Sequence, residues 1–172
     1  MNASDIDQVL GVKAQSVSLG DLLARANGRR RATWQDLPTS PGIYAVCLRG
    51  WNTLSFDADA GHAKYAEPAD PNLLCDKRHR ILAAGPTDIL YVGKAGAKTS
   101  NLRERIRTLA RFGMGRARNH KGGEWLWQVQ GINDANVRMW CCPRGRPELL
   151  ECELLERFRN DHGDWPLANR RR

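Results

Sequence analysis

The sequence has no apolar stretch near the roughly 20 residues that a membrane-spanning helix requires. It begins MNASDIDQVLG, which has acids where a secretory signal is basic, and no apolar block follows. We therefore expect a cytoplasmic protein that does not insert into a membrane.

Paired cysteine motifs are also missing. The five cysteines are scattered, odd in number and contain no CxxC pair, which is typical of reduced thiols in a reducing compartment. Cys75 and His79 lie one helical turn apart, but no second pair of zinc-ligand type lies near them. No helix-turn-helix or zinc finger motif is present in the sequence. Any recognition of a nucleotide sequence would therefore have to come from loops, an insert or a homodimer.

Acidic residues are outnumbered by basic ones. The 172 residues include 27 Lys and Arg against 19 Asp and Glu, for a net charge of +8 and a pI near 9.7. Such a surface attracts polyanions, because each neutralised phosphate releases condensed counterions. Nucleic acid, with DNA favoured over RNA, is the expected partner and a membrane surface the next. The remaining alternative is a basic protein without a nucleic-acid role.

The element pattern predicts a small α/β (α+β) domain at 41–172, preceded by a helical N-terminal extension at 1–40. Residues 4–10 and 18–27 read as helices, the second capped by Ser18. In the main domain we expect a central, mostly antiparallel sheet flanked by helices. The predicted strands are 42–48, 89–92 and 137–141, and the predicted helices are 101–112, with Ser100 as its cap, and 147–160.

A long insert at 49–88 separates the first two strands. Asp70 and Pro71 can open a helix within it that ends at Gly85. We expect an excursion that affects substrate choice more than chemistry or folding. Its basic cluster of Lys77, Arg78 and Arg80 suits phosphate, although a solvated helix end is the equal alternative. Two other candidate nucleic-acid contacts are Trp51 and the run Arg29 to Arg31.

Two helices carry a charged residue on an apolar face. At about 100° per residue, Glu151 falls among Leu154 and Phe158, whereas Glu153 points away. Arg105 likewise lies within an apolar stripe. A carboxylate among leucines loses hydration and needs a cation or a metal, so the alternatives are a structural ion pair and a functional site.

These residues belong to a larger ordered pattern. The sequence resembles the GIY-YIG nuclease family at four elements that span residues 42–169. The matching elements are the paired motifs Gly42-Ile43-Tyr44 and Tyr91-Val92-Gly93, the string Asn101-Leu102-Arg103-Glu104-Arg105-Ile106 with Lys94 before it, the string Glu151-Cys152-Glu153-Leu154-Leu155, and Asn169.

The resemblance implies metal-dependent endonuclease activity that leaves 5′-phosphate and 3′-hydroxyl ends. It implies that Glu151 holds one Mg²⁺ or Mn²⁺, that Arg105 neutralises charge at phosphorus, and that Tyr44 activates water with Tyr91 beside it. Lys94 joins this catalytic set and is also a nucleic-acid contact, together with Arg103 and Asn169. The rival interpretation is a catalytically silent nucleic-acid-binding module on the same fold.

The sequence departs from that family at two points. Residues 45–90 separate the two tyrosine motifs, which most relatives join by a short hairpin, and inserts in restriction-type relatives contact DNA or a second subunit. One turn after Arg105, Leu109 stands where relatives have His or Tyr. We predict that His120 replaces it as a catalytic residue, although a histidine beside two glycines is commonly a loop residue.

Overall fold

The computed structural model describes residues 1–28, 34–50, 53–59, 63–96, 100–118, 120–142 and 145–170. The candidate contacts at Arg29 to Arg31 and at Trp51 lie outside these residues.

A four-stranded antiparallel sheet forms the centre of the protein. Its strand order is β1-β4-β2-β3, and every neighbouring pair is antiparallel. Each residue of the central strand β2 is buried, because helices and loops cover both faces of the sheet. The α+β class with a mostly antiparallel sheet is thereby confirmed. The strands are β1 (Gln15–Ser18), β2 (Gly42–Cys47), β3 (Ile89–Ala95) and β4 (Asn136–Cys141).

In the described residues, five α-helices flank the sheet, and the predicted helices at 70–84, 101–112 and 147–160 are all present. The cap of the fourth helix differs from the prediction. The Asn101 side chain, not that of Ser100, accepts a hydrogen bond from the Glu104 amide at 3.0 Å. The helices are α1 (Ala3–Leu10), α2 (Leu19–Ala26), α3 (Pro71–Ala84), α4 (Leu102–Gly113) and α5 (Pro147–His162), with 3-10 segments at Lys121–Gln128 and Ile132–Asp134.

The first 40 residues are not purely helical, which corrects the prediction. They include β1, which pairs with β4 along the edge of the sheet. In α1, the Asp7 carboxylate accepts a hydrogen bond from Trp140 Nε1 at 2.7 Å and forms an ion pair with Arg138 at 2.6 Å. Four residues with little hydrophobic alternation carry no strand signal by themselves, so pairing with β4 decides their conformation.

The insert is part of the core, which corrects its description as an excursion. Leu74 and Ile81 of α3 are fully buried. The buried amide of Gln128 donates to the carbonyls of Asp57 and Ala69, at 3.0 and 2.8 Å, and accepts from the Ala69 amide at 2.7 Å. Removal of the insert would therefore expose apolar surface and leave buried polar groups unpaired.

Among the described residues, no helix is both long enough and apolar enough to cross a membrane.

Candidate active site

Two tyrosines from neighbouring strands form the centre of the candidate site. Tyr44 on β2 lies opposite Gly93 on β3, and Tyr91 lies two residues along the same strand, on the same face. The two rings are 5.9 Å apart and buried. A Cβ atom at position 93 would lie 2.6 Å from the Tyr44 ring and hydroxyl. Gly93 is thus required, because any side chain at this position would block the Tyr44 ring where it crosses β3.

Gly42, two residues before Tyr44, has a separate steric role. A Cβ atom at Gly42 would lie 2.1 Å from the Trp140 carbonyl oxygen on β4 and 2.8 Å from Leu102 on α4. Only glycine therefore lets α4 pack this closely on the start of β2. This approach brings the first turns of α4 beside the tyrosines.

Arg105 of α4 connects the two tyrosines. Its guanidinium is close enough to the hydroxyls of Tyr44 and Tyr91 for its positive charge to oppose the rise in pKa of each. Its buried Nε has no hydrogen-bond partner among the residues that the structure describes. A buried donor without an acceptor costs free energy, and a phosphate oxygen is an acceptor that guanidinium geometry favours.

Both phenols are neutral at physiological pH. Burial raises the pKa of Tyr44 well above its usual range, Tyr91 raises it further, and Arg105 only partly opposes them. Burial also raises the pKa of Tyr91. Neither hydroxyl is therefore a phenolate base in the resting protein, and Tyr44 could accept a proton only if a neighbouring group took its own.

His120 is in the position to be that group. The residue is fully buried, and its Nε2 lies 3.2 Å from the Tyr44 hydroxyl. Burial lowers the pKa of His120 well below its usual value, and the nearby positive charge of Arg105 lowers it further. The imidazole is thus neutral. Leu109, one helical turn after Arg105 on α4, is a fully buried core residue.

Glu151 of α5 lies at the other side of the site. It is only 6% exposed, whereas Glu153 is exposed, so the predicted helix phase is confirmed. Its carboxylate forms an ion pair with Lys94 of β3 at 2.8 Å. It is also close enough for its charge to affect Tyr91 and Arg105. The candidate site therefore brings together five predicted residues from four helices and strands and one loop: Tyr44, Tyr91, Arg105, His120 and Glu151. Lys94 lies at the edge of this site.

The set of ligands fits one hard cation that is held largely by water and substrate. In the described parts of the chain, no three His, Cys, Asp or Glu side chains cluster as a metal-binding group. Mg²⁺ is commonly bound through one or two carboxylates, several waters and substrate phosphates. Glu151 could hold such a cation through its buried carboxylate once Lys94, which now neutralises it at 2.8 Å, moves to another anion such as a substrate phosphate.

The structure does not bring the predicted basic cluster of the insert to this site. Lys77 is 4% exposed and donates to the carbonyls of Pro166 and Asn169, each at 2.9 Å. Arg78 donates to the Leu54 carbonyl and lies over the Phe56 ring. Lys77 therefore cannot contact phosphate, and Arg78 is engaged within the insert.

Arg80 is paired as well. Its guanidinium forms an ion pair with Asp164 at 2.9 Å, although the side chain remains 56% exposed. Asp164 thus competes with nucleic acid for the Arg80 guanidinium. The basic cluster of Lys77, Arg78 and Arg80 is mainly structural.

Asn169 and Arg103 also have structural partners. The Asn169 amide donates to the Val92 carbonyl at 2.8 Å and accepts from the Val92 amide at 2.9 Å, next to Tyr91. Arg103 donates to the carbonyls of Gln35 and Leu37. Asn169 therefore holds β3 in place beside the site, and both predicted nucleic-acid contacts are corrected to structural ones.

A basic cleft of about 630 Å³ lies along the outer face of α4, and sequence reasoning did not predict it. Arg105, Arg107, Arg111 and Arg118 line it, together with Glu104. We name it the arginine cleft. The sequence signal for it was the four-residue spacing between Arg107 and Arg111. The cleft also needs Arg118, however, and only the fold brings that residue near α4.

Comparisons with known proteins do not assign this chain to a family. No protein-family model matches this chain, and neither a curated protein nor a solved structure matches it.

Proposed function

We propose that this protein is a metal-dependent endonuclease that hydrolyses phosphodiester bonds in nucleic acid, with DNA as the favoured substrate. The proposal includes membership of the GIY-YIG family, on the motif residues described above. The observation that carries it is the position of Arg105, which lies beside both tyrosine hydroxyls and near the Glu151 carboxylate, with a buried Nε that has no hydrogen-bond partner among the described residues.

Hydrolysis requires an in-line water, an acceptor for its proton and positive charge at the phosphorus oxygens. In the proposed reaction, Arg105 binds a non-bridging phosphate oxygen through a charge-assisted hydrogen bond. It thereby positions phosphorus next to the Tyr44 hydroxyl, which contacts the attacking water. The Tyr91 hydroxyl, which also lies beside the guanidinium, would help to hold it in this orientation.

Proton transfer follows from the contact between Tyr44 and His120. As water attacks phosphorus, the phenol oxygen of Tyr44 takes the water proton and its own proton passes to His120 Nε2, 3.2 Å away. This step requires the neutral imidazole with its proton on Nδ1. The depressed pKa of His120 keeps the acceptor unprotonated before the reaction.

Glu151 would hold the divalent cation, with Lys94 beside it. When bound, the cation supplies Lewis-acid stabilisation of the phosphate and of the leaving alkoxide. The leaving oxygen would be the 3′-oxygen, so that the products carry 5′-phosphate and 3′-hydroxyl ends. Lys94 neutralises Glu151 in the resting protein and becomes a phosphate contact when the substrate arrives.

The same proposal places the enzyme in the cytoplasm. All five cysteines are free thiols, two of them exposed, and such thiols persist in a reducing compartment.

The decisive experiment is incubation with single- and double-stranded DNA and RNA, in Mg²⁺ or in EDTA, followed by end mapping. We expect cleavage only with Mg²⁺ or Mn²⁺ and only to 5′-phosphate ends. Full activity in EDTA, or 3′-phosphate products, would contradict the mechanism. Tight binding without cleavage of any substrate would instead support a silent binding module.

A further inference from the structure

The arginine cleft carries an inference that rests on the proposed function and goes beyond its chemistry. Four guanidinium groups and one carboxylate, that of Glu104, face a single cleft. Glu104 neutralises little of this charge, because its ion pair with Arg107 is 3.9 Å long and both side chains are largely exposed. A surface of this kind favours a ligand with several negative charges over one with a single charge.

Helical geometry connects the cleft to the active site. Relative to Glu104, at about 100° per residue, Thr108 and Arg111 point in nearly the same direction, opposite the buried face of α4. Arg105 lies at the border of the two faces, since it lines the cleft and also lies beside the buried tyrosines. A chain of phosphates along the cleft would therefore lead to the residue that is proposed to bind the scissile phosphate.

The insert fixes the far wall of the cleft. The Arg118 guanidinium lies 4.9 Å from the centre of the Tyr65 ring, and Tyr65 belongs to the insert. A hydrogen bond from Arg118 lowers the pKa of the Tyr65 hydroxyl. The ring thus orients Arg118 without neutralising it, which reduces the side-chain entropy that binding would otherwise cost.

We propose that the arginine cleft is the track that binds the sugar–phosphate backbone of the substrate strand and delivers it to Arg105. Arg107, Arg111 and Arg118 are the contacts, and they bind phosphates on one side of the scissile bond. Arg103, although it lies in the same helical column, is excluded because its guanidinium already binds the carbonyls of Gln35 and Leu37.

The test uses the full-length protein with Arg107, Arg111 and Arg118 changed to Gln, singly and together. Binding to a fluorescent DNA duplex and to the corresponding single strand is measured in EDTA across a range of salt concentrations. The matched control is Arg157→Gln, which removes the same charge from an exposed position on α5 outside the cleft. Melting temperatures establish that each variant is folded, as expected for side chains that line an open cleft.

Each single variant should weaken binding about fivefold at roughly 0.15 M salt, and the triple variant on the order of 100-fold. The triple variant should also reduce the salt slope by about three phosphate equivalents, whereas Arg157→Gln should leave it unchanged. A triple variant with the affinity and slope of Arg157→Gln overturns the proposal. So does a wild-type protein that fails to bind either DNA at low salt.

Two further measurements separate this inference from the proposed function and from a lipid surface. If the wild type binds DNA through the three arginines but never cleaves it in Mg²⁺, the cleft stands and the nuclease activity fails. If the wild type cleaves DNA and the triple variant binds it normally, the nuclease activity stands and the proposal for the cleft fails. Vesicles that contain an anionic phospholipid are the third probe, and an effect of the triple variant on vesicles but not on DNA also overturns the proposal.

Discussion

The Tyr44 hydroxyl lies 3.2 Å from Nε2 of His120, and both side chains are fully buried. The two residues are 76 positions apart in the chain, on a central strand and in a loop before a 3-10 segment. Their contact joins a phenol whose pKa is raised to an imidazole whose pKa is lowered, because burial disfavours the charged form of each. The pair is therefore neutral at rest and suited to pass a proton.

The first prediction concerns the pH dependence of stability. The unfolded chain protonates His120 near its ordinary value of 6.5, whereas the folded protein keeps it neutral to a lower pH. The unfolded state thus binds more protons, and stability falls as the pH drops below about 6.5, by up to about 1.4 kcal/mol per pH unit from this residue.

Urea denaturation between pH 5 and pH 8 measures this effect. His120→Gln should show a shallower loss of stability on acidification than the wild type. The control, His79→Gln, alters an exposed histidine and should reproduce the wild-type slope. Equal slopes for all three proteins would show that His120 is not held neutral by the fold.

The second prediction concerns the role of the Tyr44 hydroxyl. Tyr44→Phe removes the group that contacts His120 and Arg105 but keeps the ring that packs against Gly93. The rate at saturating DNA should fall by about 10²- to 10⁴-fold, the usual range for general acid–base groups. DNA affinity should be essentially retained.

Tyr65→Phe is the matched control, since it removes a hydroxyl that bonds Arg118 outside the site. It should affect KM more than kcat. A Tyr44→Phe variant with the wild-type kcat would remove Tyr44 from the reaction and leave it a packing residue.

The third prediction separates two carboxylates on one helix. Glu151→Gln keeps the size of a buried side chain but removes the charge proposed to hold the cation. Cleavage should fall by orders of magnitude, while DNA binding persists or tightens because a negative charge has gone. Glu153→Gln changes an exposed residue and should behave as the wild type.

Cleavage rates, DNA affinity and melting temperature of the two variants are measured side by side. An active Glu151→Gln and an inactive Glu153→Gln would falsify the assignment of the metal ligand. Titration of Mg²⁺ distinguishes a weakened metal site, which excess cation restores, from a lost one.

The fourth prediction tests the structural role of the insert. Lys77→Met removes the donor that serves the carbonyls of Pro166 and Asn169. Buried carbonyls left without a donor should cost about 1–3 kcal/mol of unfolding free energy. DNA affinity of the folded variant should stay at the wild-type value, because the Lys77 ammonium faces the interior.

Lys13→Met makes the same chemical change at an exposed position and should leave stability unchanged. Reduced DNA affinity of Lys77→Met with undiminished stability would restore the idea that Lys77 contacts phosphate. Replacement of residues 50–87 by a short glycine-rich turn should prevent folding, since Leu74 and Ile81 would be lost from the core.

Much of the fold could be predicted wherever a segment has a strong period or a punctuating residue. The helices that begin at Pro71 and Pro147 were recognised because proline suits the first helical turn and the apolar residues follow the helical period. The inward phase of Glu151 followed from the same period. Strand β1 was missed, because only its register with β4 explains why Gln15 to Ser18 are extended.

Predictions that single polar or basic side chains bind nucleic acid were the least accurate. Lys77, Arg103 and Asn169 have residue types that suit phosphate, and composition does not show whether a carbonyl or an amide competes for them. In the fold, chain reversals bring the backbone at 35–37, 92 and 166–169 within hydrogen-bonding distance of these side chains. Such partners are distant in sequence, so periodicity carries no information about them.

The sequence by itself determined the strands and helices that have a clear period, and the inward direction of Arg105 and Glu151, because these follow from local periodicity within one segment. Only the tertiary structure decided which groups meet. It placed His120 against Tyr44, Lys94 against Glu151, and Arg118 near the arginines of α4. The physical reason is that contacts of this kind depend on sheet register and on the close approach of helix to strand at Gly42, which no single segment encodes.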